Sequence, residues 1–253
     1  MDLTDAASAE FILAGHSNKW ALGAPRGYAG PPALVRRELF GRIGHFVAEE
    51  TPLPRSAVYW QMYIDGARDR DALLSYQGSQ HIVNFLFAQP PGFDFLEPLV
   101  AGPLEPGATI VPRRMVVAQL GPSLNGLRSL LRRLAEGGAR RRLVIATPPP
   151  ADSLARFEKD VRESRFWQGV FAGQGLDISS ARFVPARLML KLWTVLQGLA
   201  ATVTREEGAI YVDVPAHLRD AAGFLAPEYW LSNDFTHASD SFGQEMLKAA
   251  LAT

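Results

Sequence analysis

Short, mostly apolar runs separated by longer amphipathic stretches constrain the fold of this chain more than any other feature. Phe11-Ile12-Leu13-Ala14 closes on Gly15, as a buried strand does. Ala57–Tyr63 (AVYWQMY) carries Val58, Tyr59, Trp60 and Tyr63 and reads as a second strand. Asp71–Tyr76 (DALLSY), closed by Gly78, reads as a third. Leu143–Thr147 (LVIAT) is a fourth, halted by Pro148, Pro149 and Pro150, and Ile210–Val214 (IYVDV) a fifth, halted by Pro215. Helical patterns fill the intervals. Leu34–Ala48 spaces Leu34, Val35, Leu39, Ile43 and Val47 along a helical repeat, and Leu120–Leu134 repeats leucine on one face up to Gly137-Gly138. Ser153–Phe166 and Arg182–Thr202 read as further helices, and Ser241–Leu251 as a last one with a capping box from Ser241 to Gln244.

Buried rather than alternating strands, separated by helices, call for a parallel sheet covered on both faces. Sites in such sheets lie beyond the carboxyl ends of the strands. The Pro/Gly-rich stretch Gln89–Pro112 reads as a long loop or flap rather than a boundary. Residues 1–253 are therefore expected to form a single domain.

Composition narrows the function classes. The 26 basic and 26 acidic side chains balance, which argues against general nucleic-acid binding. The absence of cysteine excludes disulfides, thiolate metal sites and a cysteine nucleophile. His45 and His217 have no ligand-spaced companions, so no metal is expected. No Gly-x-Gly-x-x-Gly or phosphate-loop motif follows a strand, so no nucleotide cofactor is expected either. The apolar stretch Leu188–Val203 is interrupted by Lys191 and Gln197 and falls short of the ~20 residues a membrane span needs. The N-terminal residues carry Asp2, Asp5 and Glu10 without a base, unlike a signal peptide. This points to a cytoplasmic protein, or a secreted one whose leader has been removed. Arg132, Arg133, Arg140, Arg141 and Arg142 read as a solvated cluster at a helix end. Trp20 and Trp230 flank the segments described next and suit the walls of an acyl or sugar pocket.

Three segments carry candidate chemistry. Ser17, in Gly15-His16-Ser17-Asn18, follows the first strand, with Gly15 allowing a sharp turn; a serine there is also a common helix cap. Gly78-Ser79-Gln80-His81 follows the third strand and offers an amide donor for an oxyanion and an imidazole. Asp234-Phe235-Thr236-His237 precedes the last helix. Its spacing lets the carboxylate hold one imidazole nitrogen and leave the other as a base, although Asp234 in a plain turn fits the same residues. In this order the segments bring a nucleophile, an oxyanion donor and a base to one edge of the sheet.

These segments resemble the SGNH (GDSL-type) hydrolases. Gly15-His16-Ser17 is similar to that family's Gly-Asp-Ser segment, and Gly78-Ser79-Gln80-His81 to its Gly-x-Asn-Asp segment. Asp234-Phe235-Thr236-His237 matches its closing Asp-x-x-His motif without change, and the tail from Gly223 resembles the end of many members. The α/β-hydrolase elbow Gly-x-Ser-x-Gly is absent, because Gly15 is followed by His-Ser-Asn-Lys.

The resemblance implies a three-layer α/β sandwich with a five-stranded parallel sheet in flavodoxin-like order. It also implies a serine esterase with Ser17 as nucleophile, His237 as base and Asp234 orienting it. Gly78, Gln80 and His81 would serve the oxyanion or substrate, which would be a small-molecule or glycan ester, and no cofactor would be needed. Gln80 stands where the family has asparagine and is one methylene longer, and His16 replaces an aspartate. The family's separate oxyanion glycine has Gly30 and Gly66 as candidates. An O-acyltransferase of the same fold and an inactive binding module are the alternatives. Oligomeric state leaves no mark in the sequence.

Overall fold

The computed structural model describes residues 4–5, 9–24, 33–36, 43–47, 57–76, 79–87, 92–152, 158–173, 177–180, 182–232 and 234–253. Its elements run β1 (Thr4–Asp5), β2 (Phe11–Gly15), β3 (Ala33–Arg36), β4 (Ile43–Val47), α1 (Ala57–Gly66), β5 (Asp71–Ser75) and α2 (Gln80–Phe85). They continue with β6 (Phe93–Asp94), β7 (Thr109–Ile110), α3 (Arg113–Leu120), α4 (Asn125–Glu136), β8 (Arg141–Ile145), α5 (Glu158–Glu163) and α6 (Arg165–Gly173). The chain ends with α7 (Ala186–Glu206), β9 (Ile210–Val212), β10 (Trp230–Leu231), β11 (Asp234–Ala238) and α8 (Asp240–Leu251).

Five strands, in the order β4-β2-β5-β8-β9, form an all-parallel central sheet. Counted along the chain this is the 2-1-3-4-5 order of a doubly wound sheet. β3 pairs antiparallel with β4, and β1 antiparallel with β3, so among the described residues the sheet has seven strands. Alternate residues of each strand feed two separate cores, as the two-residue period of a strand requires. Ile12, Ala14, Ala72, Leu74 and Val144 pack with Tyr59 and Tyr63 of α1 and with the leucines of α4. Leu13, Leu73, Leu143, Ile145 and Val212 pack with Phe242, Met246 and Leu247 of α8. α7 packs against β9 and contributes to both cores, Leu188 and Leu192 to one, Leu190 and Trp193 to the other.

Two segments read from sequence exchange their assignments. Ala57–Tyr63 is not a strand but the start of α1, with Tyr59 and Tyr63 buried four residues apart on one face and Val58 and Met62 exposed on the other. Leu34–Ala48 is not a helix: its described parts are β3 and β4, paired antiparallel, and β4 is the second strand of the parallel sheet. Buried His45 on β4 contacts the Leu22 carbonyl through Nε2 at 2.8 Å. The helix read at Leu120–Leu134 starts on the last residue of α3, passes through a 3-10 turn at Gly121–Leu124 and is α4 from Asn125 onward. α8 is capped by Ser239 rather than Ser241, with Ser239 Oγ accepting from the Phe242 amide. The helix read at Ser153–Phe166 is α5 followed by the start of α6, its residues 153–157 lying outside the described set.

The basic cluster is paired rather than simply solvated. Arg140 and Arg141 clasp Asp71, which is fully buried at the start of β5. Burial alone would raise the Asp71 carboxyl, but the two guanidinium hydrogen bonds and charges outweigh it and hold it low. Arg132 pairs with Glu207, Arg133 bonds Gln61, and Arg142 donates to the carbonyls of Leu131, Glu207 and Gly208. The segment read as a flap carries the short parallel pair β6–β7 and is pinned to α7 by a buried ion pair, Lys191 Nζ to Asp94 at 2.8 Å. Among the described residues no helix is long and apolar enough to cross a membrane.

Candidate active site

The carboxyl ends of β2 and β5 are in register, Gly15 beside Ser75, and the His16 amide donates to the Ser75 carbonyl at 2.9 Å. Gly15 is needed here for close approach rather than for a turn: a Cβ on it would stand 2.1 Å from the Ser75 carbonyl oxygen. The loops carrying Ser17 and Ser79 thus leave the sheet side by side. Ser17 opens a 3-10 turn, Ser17–Trp20, instead of capping a helix; His16 holds the cap position. The turn is anchored by Asn18 and Lys19, both buried, with Lys19 Nζ 5.6 Å from the ring centroid of Tyr59. Asn18 Nδ2 donates to Ser79 Oγ at 3.3 Å and so ties the first loop to the third. The Ser17 amide donates to no acceptor among the described residues.

β11 carries Asp234 and His237 back against the Ser17–Trp20 turn. Asp234 Oδ2 lies 2.7 Å from His237 Nδ1. Asp234 Oδ1 accepts from the backbone amides of Thr236 and His237 at 2.9 and 3.2 Å and from the Thr236 hydroxyl at 2.7 Å. Thr236 Oγ1 is also 2.8 Å from His237 Nδ1. Burial pushes the Asp234 carboxyl up, but the hydrogen bond and charge of His237 and the two Thr236 hydrogen bonds outweigh it. They hold the group well below the usual carboxylate range. The imidazole Nε2 is buried and bonds no described protein group, and the Trp20 ring packs against the imidazole with centroids 5.1 Å apart.

A small pocket joins these loops. It is walled by Ser79, His81, Thr147, Asp234, Thr236 and His237 on its polar side and by Ile82, Pro148–Pro150, Leu225 and Trp230 on its apolar side. Thr147 is held by Gln197, whose Nε2 donates to Thr147 Oγ1 at 3.0 Å. Of the residues singled out from sequence, His81, Asp234 and His237 meet in this pocket, with Trp230 in its wall. Among the described residues Ser17 and Gln80 stand beside the pocket rather than lining it, and no hydrogen bond joins Ser17 to His237. Gly78 and Gly30 lie outside the described residues. Gly66 ends α1 just ahead of β5, at the opposite edge of the sheet, so it cannot serve an oxyanion here. His16 stacks away from the pocket residues, edge-on to Tyr76 at 5.0 Å and near Trp60 at 5.6 Å.

Two contributors escaped the sequence reading. Thr236 was only the variable position of its motif, although a hydroxyl flanked by Asp and His at this spacing is the signal that identifies it. Ser79 reaches Asn18 across 61 residues of chain, a contact that local pattern does not encode. No protein-family model and no curated protein matches this chain.

Proposed function

We propose that this protein is a serine esterase of the SGNH (GDSL-type) kind, acting on a small-molecule or glycan ester through an acyl-enzyme. The observation that carries the reading is the 2.7 Å bond from His237 Nδ1 to Asp234 beside the turn that opens with Ser17. With its Nδ1 proton donated to Asp234, the imidazole has its Nε2 lone pair for a proton. Ser17 Oγ attacks the ester carbonyl while its proton passes to His237 Nε2, and the carbonyl π electrons move onto oxygen. The tetrahedral intermediate collapses with cleavage of the C–O bond, and the leaving alkoxide takes the proton back from His237. Water repeats the sequence on the acyl-enzyme and releases the acid.

The oxyanion needs donors that are already in place. The Ser17 amide is one, since nothing described in the protein accepts from it. The Ser79 hydroxyl is another: its oxygen accepts from Asn18, which leaves its own proton to donate. Gln80, at the first position of α2, stands next to it. No metal or cofactor enters this chemistry.

A transferase of the same fold is the second reading, favoured by the narrowness of the pocket and its proline, leucine and tryptophan wall, which restrict water. The deciding experiment is intact mass after exposure to a fluorophosphonate, for wild type, Ser17→Ala and His237→Ala. A single adduct mapping to Ser17, lost in Ser17→Ala and slowed in His237→Ala, is the expected result. Folded wild type that takes up no adduct would overturn the serine-nucleophile reading.

A further inference from the structure

A groove of about 590 Å³ lies beside the candidate active site, between the segment that follows β6, the start of α7 and the loop after β9. Its size falls within the range of small-molecule sites, roughly 300–1,000 Å³. Val100, Leu190 and Phe224 give it a buried apolar floor, and Arg187 and Arg219 are the two cations in its lining.

Both walls are built without help from a ligand. The Asp94–Lys191 ion pair, one helical turn beyond Arg187, clamps the segment that leads to Leu99 and Val100 onto α7. Asp94 also accepts from the backbone amides of Phe95 and Glu105 at 2.7 and 2.8 Å. On the other side, Asp220 Oδ1 accepts from the amides of Ala222 and Phe224, both at 2.9 Å, so the one carboxylate in the groove is engaged in folding its own loop. Arg219 donates to the Val214 carbonyl at 2.9 Å. The Arg187 guanidinium lies against Gly102, in the space a side chain there would fill, and bonds no acceptor among the described residues. A rigid apolar floor with an unengaged guanidinium at its rim recognises one chemistry: an apolar stem ending in an anion.

We propose that this groove binds an amphiphilic anion, an aliphatic chain carrying one carboxylate or phosphate, with the chain on Leu190 and Phe224 and the anion on Arg187 and Arg219. The groove shares a wall with the candidate active site, since Phe224 lines the one and Leu225 the other. A bound molecule would therefore rest on the loop segment that borders His237's pocket. The proposal concerns binding alone and does not depend on the esterase reading.

The test is isothermal titration calorimetry of the full chain with octanoate and with octyl phosphate. Inorganic phosphate and uncharged octyl glucoside, below its micellar concentration, serve as the controls. Saturable one-site binding of at least one amphiphilic anion is expected, about tenfold or more tighter than either control. Arg187→Gln should weaken it about tenfold, Ala222→Trp should abolish it by filling the groove, and His237→Ala should leave it unchanged. Thermal unfolding shows that each variant is folded, and Ala101→Leu replaces Ala222→Trp if the latter is not. Absence of saturable binding by both anions overturns the proposal. So does equal affinity in Arg187→Gln and the filled variant, or loss of binding in His237→Ala instead.

Discussion

Asp234 and His237 are joined twice, directly through Oδ2 and Nδ1 at 2.7 Å and indirectly through the Thr236 hydroxyl, which is 2.7 Å from Asp234 and 2.8 Å from the same imidazole nitrogen. The carboxylate cannot rotate, because two backbone amides and that hydroxyl hold its other oxygen. An imidazole fixed in this way has one tautomer and one free nitrogen. Asp234→Asn, which offers a donor where an acceptor is required, should lower kcat on p-nitrophenyl acetate by about 10³-fold or more. Thr236→Val should lower it about fivefold, the worth of one hydrogen bond. A loss under tenfold in Asp234→Asn would remove Asp234 from the mechanism.

Ser79→Ala deletes the hydroxyl proposed to face the oxyanion, and with it the Asn18 bond that ties the first loop to the third. Loss of one oxyanion donor costs about 10²-fold in kcat in enzymes of this chemistry, with KM little changed. The fluorophosphonate adduct should still map to Ser17 in this variant. A wild-type adduct that maps to Ser79 and disappears in Ser79→Ala would make Ser79 the nucleophile instead.

Acid should unfold the protein through three carboxylates. Asp71, Asp94 and Asp234 are each pushed up by burial but held lower by their partners, Arg140 and Arg141, Lys191, and His237 respectively. A carboxyl lowered in the folded state adds stability above its unfolded value of about 4, and that stability is lost as pH falls through the folded value. Urea midpoints should therefore be flat near neutrality and drop below about pH 4. Lys191→Met leaves Asp94 buried and unpaired; it should cost about 3–5 kcal/mol at neutral pH and flatten the acid slope. A Lys191→Met midpoint equal to wild type at neutral pH would show the pair to be dispensable.

α8 holds the Ser17 turn from below at Gly243. A Cβ on Gly243 would stand 1.6 Å from the Ala21 carbonyl oxygen and 2.9 Å from the Leu22 amide, both backbone, so the two segments must separate. Gly243→Ala should cost about 1–3 kcal/mol in urea denaturation and slow labelling of Ser17, because the displaced segment follows directly on the Ser17–Trp20 turn. Full stability with unchanged labelling would contradict this packing.

Features that depend only on neighbouring residues were legible without the fold. The runs Phe11–Ala14, Asp71–Tyr76, Leu143–Thr147 and Ile210–Val214 read as strands and overlap β2, β5, β8 and β9, and α7 and α8 read as helices, because length and flanking Gly or Pro are local signals. The Asp234–His237 bond was legible for the same reason, since three residues of chain suffice to close it. Packing between distant segments set the remainder. Aromatic residues at 57–63 become helix because Tyr59 and Tyr63 bury one face against β2 and β5, and β3 and β4 stand where a helical spacing was read because β4 pairs with β2. A short apolar run has no preference strong enough to resist such pairing. Ser79 entered the site for a like reason: the register that sets Gly15 beside Ser75 delivers its hydroxyl to Asn18. Register is a property of two strands, and neither strand's residues state it alone.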